Sequence, residues 1–355
     1  MKSIEVKDKI AIVKKRLVEV LKPVIYMSEF CQYSQEDIVD SLLAAAIKQE
    51  SIEYVSHSPN SDTVFLRIKS VVTPQILKLV VRSLRPDIEG EVDVAIDGHD
   101  DMYYGYETVG IVGTKEKLGS HNAFKYLVVK IISKGIEYIV DVVEMFDGGV
   151  TESAIASLQE LRKMYRIRRV VADGEFYSVK LVHYLQDTDI EWVIRYRTFA
   201  ALEALNLRCN FPYKNSNIRL TLGKEFDEDG KDFFIYRFRG RENKKGKRTD
   251  FYVASNIETS GQTIRNILKR RWRIETGFRE INRVKIKTCT RNHLLRMLFY
   301  TIACFLYNAW ILVRRIKKKA KIRLNTVKSA FIEVIKLCAS PILGLAGIKV
   351  SKQNQ

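Results

Sequence analysis

The sequence predicts an α/β protein in which helices flank a mixed β-sheet, with a β-rich insertion before the last helix of the core and a helical domain at the N-terminus. Three observations predict this class. Apolar residues recur at helical spacing through residues 1–88. Strand and helix patterns then alternate over residues 91–196, an order that favours a sheet covered by helices. Residues 198–257 are β-like and interrupt this order before helical periodicity returns.

The N-terminal domain, residues 1–88, is predicted to be helical. We expect helices from Asp8 to Pro23 and from Gln35 to about Gln49, and a third helix that Thr73-Pro74 opens and that ends near Arg85. Ser34, followed by two acidic residues, is typical of a helix start. Basic residues occur along these helices, so the domain is predicted to contact DNA phosphates. The alternative is that these charges only solvate the outer helix faces.

The first part of the α/β core is predicted over residues 89–197. Apolar and polar residues alternate from Glu91, a strand pattern expected to end at Gly98. Two β-rich runs joined at Gly135 predict a hairpin. The remaining predicted elements are a helix at 151–164, a strand at 169–172, a helix at 178–185 and a strand at 190–196.

The rest of the chain is divided into three predicted regions. Residues 198–257 are the β-rich insertion, residues 258–316 are the second part of the core, and residues 317–355 are a basic C-terminal segment. Helical periodicity runs from Gly261 to about Lys287. An apolar helix is expected to follow it.

The chain is strongly basic, with 60 Lys and Arg residues against 42 Asp and Glu residues, a formal net charge of +18 and a pI near 9.5. This balance favours a polyanionic partner, either nucleic acid or an acidic membrane surface. The five cysteines are scattered, without zinc-ligand spacing and without the dense framework of small secreted proteins. We therefore expect an intracellular protein, cytoplasmic and associated with the nucleoid.

One segment, residues 294–313, is long and apolar enough to cross a bilayer. It includes Arg296 and Asn308 and is followed by a basic run. These features favour a buried core helix, so no membrane partner is predicted.

Two aspartates are predicted at strand ends. Asp97 precedes Gly98, and Asp173 follows the predicted strand at 169–172. Sites in α/β sheets form at the carboxyl ends of strands, and neighbouring strands lie ~4.8 Å apart. Two carboxylates at that distance repel each other unless a hard divalent cation binds them. Each aspartate alone is more typical of a turn, but the combination predicts a site for Mg²⁺ or Mn²⁺.

A third acidic residue is expected on the helix that begins near Gly261. Glu275 and Glu280 compete for this role. At ~100° per residue they are separated by about 140°, so only one of them can face the sheet. Glu275 is favoured because its helix face also carries Leu268, Arg271, Arg279 and Asn282. The alternative is that Glu275 only pairs with Arg271 or Arg279 on a solvated helix face.

At these residues the sequence resembles the DDE transposases of insertion sequences, which have a ribonuclease H-like catalytic core. The resemblance covers about residues 91–310 and rests on the segments 94–98, 171–177 and 271–280. The last segment is the most specific. It is similar to a subgroup signature of Tyr, two residues, Arg, three residues, Glu, six residues and Lys, in which a β insertion separates the second Asp from the Glu.

The resemblance implies a role for each matching position. The catalytic and metal-binding residues are Asp97, Asp173 and Glu275, with two Mg²⁺ or Mn²⁺ ions between them. Arg271 matches the signature Arg, which contacts DNA phosphate beside the cut. Leu268 and Asn282 stand where the signature has Tyr and Lys. These departures affect DNA binding rather than metal binding, so whether the reaction passes through a hairpin-ended DNA intermediate is left open.

The activity implied is phosphoryl transfer on DNA. The enzyme cuts transposon ends and joins the freed 3′-hydroxyl to target DNA, with two metal ions ~3.5–4 Å apart stabilising the attacking and leaving oxygens. A homodimer is expected, because two transposon ends must be held together. Two alternatives stay open: a metal-dependent nuclease that cuts without joining, and a non-catalytic DNA-binding protein derived from a transposase.

Basic residues are predicted to bind the DNA backbone in a salt-sensitive manner. Besides Arg271, those on and after the last core helix are Arg279, Arg283, Lys285 and Lys287. Those in the loop from 239 to 248 are Arg241, Lys244, Lys245, Lys247 and Arg248. The segment 314–323 and an aromatic and basic loop at 103–117 are further candidates, although each is alternatively a solvated charge run. Trp272 is expected to pack against the sheet rather than to stack on a base.

Overall fold

The computed structural model describes residues 2–22, 25–27, 31–55, 59–69, 72–117, 119–133, 135–145, 149–196, 218–221, 232–238 and 251–316. The chain forms two compact units. One comprises Met1–Leu84 together with Arg279–Gln355, and the other comprises Arg85–Phe278.

The helices and strands follow one another in this order: α1 (Lys2–Leu21), α2 (Gln35–Lys48), α3 (Ile52–Val55), α4 (Ser61–Lys69), α5 (Pro74–Arg82), β1 (Glu91–Tyr103), β2 (Ile111–Lys117), β3 (Ser120–Ile131), β4 (Tyr138–Glu144), α6 (Val150–Arg162), β5 (Arg166–Ala172), α7 (Val179–Asp187), β6 (Glu191–Tyr196), β7 (Ile218–Thr221), β8 (Asp232–Phe238), β9 (Phe251–Ser255), α8 (Gly261–Asn282) and α9 (His293–Ile316). A 3₁₀ turn, Gly174–Phe176, follows β5.

The first unit is helical. The three predicted N-terminal helices are present as α1, α2 and α5, and the short helices α3 and α4 were not predicted. Ser34 caps α2 in a reciprocal arrangement with Asp37, in which each side chain accepts a hydrogen bond from the other residue's backbone N–H. Thr73 caps α5, and Pro74 occupies its first turn. The predicted capping signals therefore set where these helices begin.

Helix α9 forms the core of the helical unit and packs against α1, α2 and α5. Its residues His293–Leu312 are long and apolar enough to cross a membrane, yet 94% of that window is buried inside the protein. Arg296 and Asn308 within it form hydrogen bonds with backbone carbonyl groups. Arg296 Nε donates to the carbonyl oxygen of Thr290 at 2.7 Å, and Asn308 Nδ2 donates to that of Val81 at 3.4 Å. The segment thus has the burial expected of a core helix.

The second unit is built on a mixed sheet in the order β2-β3-β1-β5-β6-β9-β8-β7, with β4 also paired to β3. Strand β5 is parallel to both β1 and β6, and the other pairings are antiparallel. The predicted mixed sheet flanked by helices is confirmed. The described strands of the predicted insertion, β7 to β9, extend this same sheet beyond β6.

Strand β1 differs from its prediction. It was expected to end at Gly98, but its antiparallel pairing with β3 continues to Tyr103. Space at position 98 is limited, because a Cβ there would lie 3.2 Å from Glu175 Oε2 and 3.4 Å from Lys125 Cε, and these side-chain ends would have to shift. The parallel pairing of β1 with β5 nevertheless stops at Ile96. Asp97 is therefore the first residue beyond the parallel part of the strand.

Helix α8 is held against the sheet by side chains of β1 and β3. Alternate residues of a strand face the same side of a sheet, and three such residues of β1 contact α8. Asp93 binds Arg270 at 2.9 Å, Asp97 binds Arg271 at 2.7 Å, and the ring of His99 lies 5.0 Å from that of Phe278. From β3, the fully buried Lys130 donates to the carbonyl oxygen of Arg273 at 2.8 Å. These contacts fix both the rotation and the position of α8.

Asp93 is predicted to be important for stability. Its carboxylate is 3% exposed and accepts hydrogen bonds from Arg168 at 2.7 Å as well as from Arg270. We expect Asp93→Ala to lower the free energy of unfolding by about 1–3 kcal/mol, since the charge-assisted bonds are lost while both guanidiniums can rehydrate. Urea denaturation followed by circular dichroism measures this. Glu152→Ala, which removes an exposed ion pair with Lys180, should leave the midpoint almost unchanged.

Candidate active site

Asp97 lies in the middle of β1, with its side chain 12% exposed. Its Oδ1 accepts a hydrogen bond from the Gly98 backbone N–H at 3.0 Å, and its Oδ2 accepts one from Arg271. Burial raises the pKa of Asp97 to about 6; Arg271 opposes this rise, and the negative charges of Asp173 and Glu275 add to it. Asp97 therefore lies within electrostatic reach of both other predicted carboxylates.

Asp173 directly follows β5, as predicted, and leads into the 3₁₀ turn. The parallel β1–β5 pairing ends at Ile96 and Ala172, so Asp97 and Asp173 each directly follow the last paired residue of two neighbouring strands, although β1 itself continues beyond Asp97. Within the described part of the chain, Asp173 Oδ1 is buried and has no hydrogen-bond partner. A buried carboxylate oxygen without a partner is costly, and a bound cation would satisfy it.

Glu275 lies on α8 and is linked to Asp97 through Arg271. Arg271 Nη1 donates to Asp97 Oδ2 and Nη2 donates to Glu275 Oε1, both at 2.7 Å. The contact that the alternative describes, between Glu275 and Arg271, is present; the side chain of Arg271 is 9% exposed and that of Glu275 is 49% exposed. Burial alone would lower the pKa of Arg271, whereas the three surrounding carboxylates outweigh burial and raise it.

The three carboxylates suit a divalent metal ion in chemistry but not in their present arrangement. Carboxylate oxygens are the ligands that Mg²⁺ and Mn²⁺ prefer, and the buried Asp173 Oδ1 lacks a partner. Across the described residues, however, no group of three His, Cys, Asp or Glu side chains is arranged to hold a metal ion. The guanidinium of Arg271 occupies the position between Asp97 and Glu275.

A cavity of about 710 Å³ adjoins Asp173. It lies at the end of the sheet where β5 and β6 finish, and Asp100, on the face of β1 opposite Asp97, contributes to its wall. Its positively charged lining residues are Lys115, Lys117, Lys125 and Arg195. Its aromatic lining residues are Tyr196, Phe251 and Tyr252. Lys117 pairs with Asp100 and Lys125 with Glu175, while the Arg195 guanidinium lies 5.8 Å from the centre of the Phe251 ring.

Sequence reasoning missed several of these residues. The aromatic and basic loop predicted at 103–117 is largely strand, because Tyr103 ends β1 and residues 111–117 form β2. Arg195 was not singled out, although it is the penultimate residue of β6, the strand next to β5, and this strand order places it near Asp173. The position of Phe251 could not be predicted from the sequence, since it depends on the long-range pairing of β9 with β6.

Some of the predicted DNA-binding residues are described by the structure, and the others lie outside the described residues. Arg279, Arg283, Lys285 and Lys287 belong to the helical unit. After α8 the buried side chains of Val284 and Ile286 alternate with these cations. Arg283 pairs with Glu280 at 3.0 Å. The loop residues Arg241, Lys244, Lys245, Lys247 and Arg248 lie outside the described residues, as does most of the segment 314–323.

The expectation that Trp272 packs against the sheet is wrong. Its residue surface is 53% exposed. Arg271 and Ile274, its neighbours on α8, are the buried residues at this point of the helix. Arg270 and Arg271 form hydrogen bonds with Asp93 and Asp97 on the sheet, whereas Trp272 is exposed to solvent.

Residues 139–308 match a family model described as "Transposase DDE domain". The matched region includes Asp173 and Glu275, whereas Asp97 lies before it. No curated protein sequence matches the chain. The family match supports a DDE transposase.

A similar fold occurs in the cryo-EM structure of the piggyBac transposase synaptic complex with hairpin DNA. The similarity has a TM-score of 0.64 and covers 97% of this chain and 83% of that chain, at 13% sequence identity. At this identity the likeness concerns the fold alone. It agrees with the ribonuclease H-like core that the sequence predicted.

Proposed function

We propose that this protein is a DDE transposase that cuts DNA at transposon ends and joins the freed 3′-hydroxyl to target DNA. The proposal rests on one observation: Asp97 and Glu275 both accept hydrogen bonds from the guanidinium of Arg271, and Asp173 directly follows the neighbouring strand β5. The match of residues 139–308 to a transposase DDE domain supports it independently. The subgroup defined by the Tyr, Arg, Glu and Lys signature is part of the proposal, with Leu268 and Asn282 as its departures.

Asp97, Asp173 and Glu275 would hold the divalent ions, Mg²⁺ or Mn²⁺. Such ions supply an activated water and stabilise the attacking and leaving oxygens of an in-line displacement. The protein contributes the placement of these carboxylates on two neighbouring strands and on a helix anchored by Asp93 and Lys130. It also contributes burial, which limits competing water at Asp97.

DNA is the proposed substrate and partner. The cavity beside Asp173 offers cations for phosphates, chiefly Lys115 and the Arg195 guanidinium over Phe251, and aromatic faces for bases. The net charge of +18 agrees with a polyanionic substrate. The proposed enzyme is a homodimer that holds two DNA ends together. It acts in the cytoplasm, at the nucleoid, and has no membrane partner.

Cleavage and joining are tested with the purified protein and a labelled duplex that carries the inverted repeats flanking its coding region. We expect Mg²⁺-dependent cleavage at the repeat ends and, with target DNA added, labelled products longer than the substrate. Glu275→Gln should abolish both reactions. Glu280→Gln removes an acid from the same helix, one that pairs with Arg283 at 3.0 Å, and it should retain both activities.

The other outcomes separate the alternative functions. Cleavage without longer products would identify a metal-dependent nuclease. Binding to the repeats without cleavage would identify a non-catalytic DNA-binding protein. Equal loss of activity in Glu275→Gln and Glu280→Gln would contradict the assignment of Glu275 as the third acid.

A further inference from the structure

We propose that Arg271 is the resident counter-cation of this site: it holds Asp97 and Glu275 until a divalent metal ion takes the two carboxylates and a DNA phosphate takes the guanidinium. The inference rests on the proposed function, because it concerns the regulation of the same site. It assigns Arg271 two alternative sets of partners. One of them, the carboxylates, is observed.

The observed contacts make Arg271 an integral part of the site. Two different nitrogens of its guanidinium bind two different carboxylates, both at 2.7 Å, and the side chain is 9% exposed. Hydrogen bonds of this length between ionised groups are among the strongest in proteins. Arg271 is thus not a solvated side chain waiting for DNA.

The charge of the site is not balanced by Arg271 alone. Three carboxylates share the field of one guanidinium, so with all of them ionised the negative charges exceed the positive charge. Asp173 Oδ1 is buried and, within the described chain, has no hydrogen-bond partner. The site therefore attracts further positive charge even while Arg271 is in place.

Arg271 and a metal ion compete for the same oxygens. Mg²⁺ requires its ligand oxygens at about 2.1 Å in near-octahedral geometry, so they must converge on one point. A guanidinium holds Asp97 and Glu275 apart on separate nitrogens. This explains why the described residues include no ready metal-holding group. Binding of one ion by all three acids requires Arg271 to release at least one of them.

DNA lowers the cost of that release. A buried guanidinium that loses its carboxylates must find another anion, and a phosphate accepts paired hydrogen bonds from it. DNA binding therefore favours metal binding, and by linkage the metal ion favours DNA binding by the same factor. In the protein without DNA, Arg271 keeps the acidic residues from forming a competent metal site.

The test measures Mn²⁺ affinity by isothermal titration calorimetry on the full-length, metal-free protein. We expect Arg271→Gln to bind Mn²⁺ about tenfold more tightly than the wild type. Lys269→Gln removes the same charge from an exposed position on the same helix and should bind Mn²⁺ like the wild type. A duplex oligonucleotide of arbitrary sequence should tighten Mn²⁺ binding about tenfold in the wild type and in Lys269→Gln, and little in Arg271→Gln.

Unchanged or weaker Mn²⁺ binding by a folded Arg271→Gln variant would overturn the inference, because Arg271 would then support metal binding instead of opposing it. If that variant does not fold, Arg271→Lys serves, since lysine keeps the charge but presents a single nitrogen. It should bind Mn²⁺ more tightly than the wild type, and failure to do so overturns the inference. If the wild type cleaves DNA in a metal-dependent manner but these changes in Mn²⁺ affinity are absent, the inference about Arg271 is wrong and the proposed function still stands. Absence of Mn²⁺ binding in all proteins, with and without DNA, removes the proposed function as well.

Discussion

Asp173→Asn should lower the rate of metal-dependent DNA cleavage roughly a thousandfold or more. A metal ion stabilises the transition state of phosphoryl transfer by several kcal/mol, and each ~1.4 kcal/mol is a factor of ten in rate. Asparagine has the shape of aspartate but lacks the negative charge that a divalent ion requires. The rate is measured as single-turnover cleavage of the duplex carrying the flanking repeats, in Mg²⁺ and in Mn²⁺.

This variant separates catalysis from folding. Asp173 makes no side-chain cap of the following 3₁₀ turn, and its Oδ1 has no partner within the described residues. The melting temperature of Asp173→Asn should therefore equal or exceed that of the wild type. A lower melting temperature together with lost activity would mean that Asp173 supports the fold, and its assignment as a metal ligand would then lose its main support.

Asp97→Asn should stabilise the metal-free protein at neutral pH by up to about 3 kcal/mol. Burial raises the pKa of Asp97 to about 6, above the ordinary value near 3.9, so the folded state binds more protons than the unfolded state between these values. The free energy of unfolding then falls as the pH rises through this window. Asparagine carries no charge, so the gain should be full above about pH 6 and vanish below about pH 4.

Asp100→Asn is the matched control, because Asp100 lies on the same strand with the opposite shift. Burial alone would raise the pKa of Asp100, but Lys117 outweighs it and lowers that pKa. Its contribution to stability is present at neutral pH and is lost as the pH falls through the folded-state pKa. Asp100→Asn should thus destabilise the protein at neutral pH. Urea denaturation of both variants between acidic and neutral pH tests the contrast, and destabilisation by Asp97→Asn at neutral pH would contradict it.

Local patterns sufficed for the parts of the fold that depend on local interactions. The capping residues Ser34 and Thr73 marked helix starts, and Asp173 was found at a strand end because β5 is a short buried strand that stops there. The end of β1 was misplaced at Gly98, since glycine also occurs within strands where side chains from elsewhere in the fold approach the backbone closely. That use depends on Glu175 and Lys125, which lie far away in the sequence.

In the candidate site, too, the features set by local spacing were predicted and those set by long-range contacts were not. The spacing of α8 placed Arg271 and Glu275 on one helix face, and the structure pairs them. The periodicity gave no sign that the same guanidinium also reaches Asp97 across the sheet. Trp272 was misassigned because an aromatic residue next to a buried position usually packs, whereas the buried residues at this point of α8 are Arg271 and Ile274. The cavity lined by Arg195 and Phe251 requires strand pairings that no local pattern predicts.

The anchoring of α8 has a consequence for how this chain can change in length. Arg270 and Arg271 are consecutive, yet they bind Asp93 and Asp97, which lie about 13 Å apart along the strand. The helix is thereby located by its own side chains and not by the length of the connection that leads to it. A change in the length of the connection between β9 and α8 should therefore not displace Glu275. A single extra residue between Arg271 and Glu275 would turn the carboxylate by about 100° and remove it from its partners.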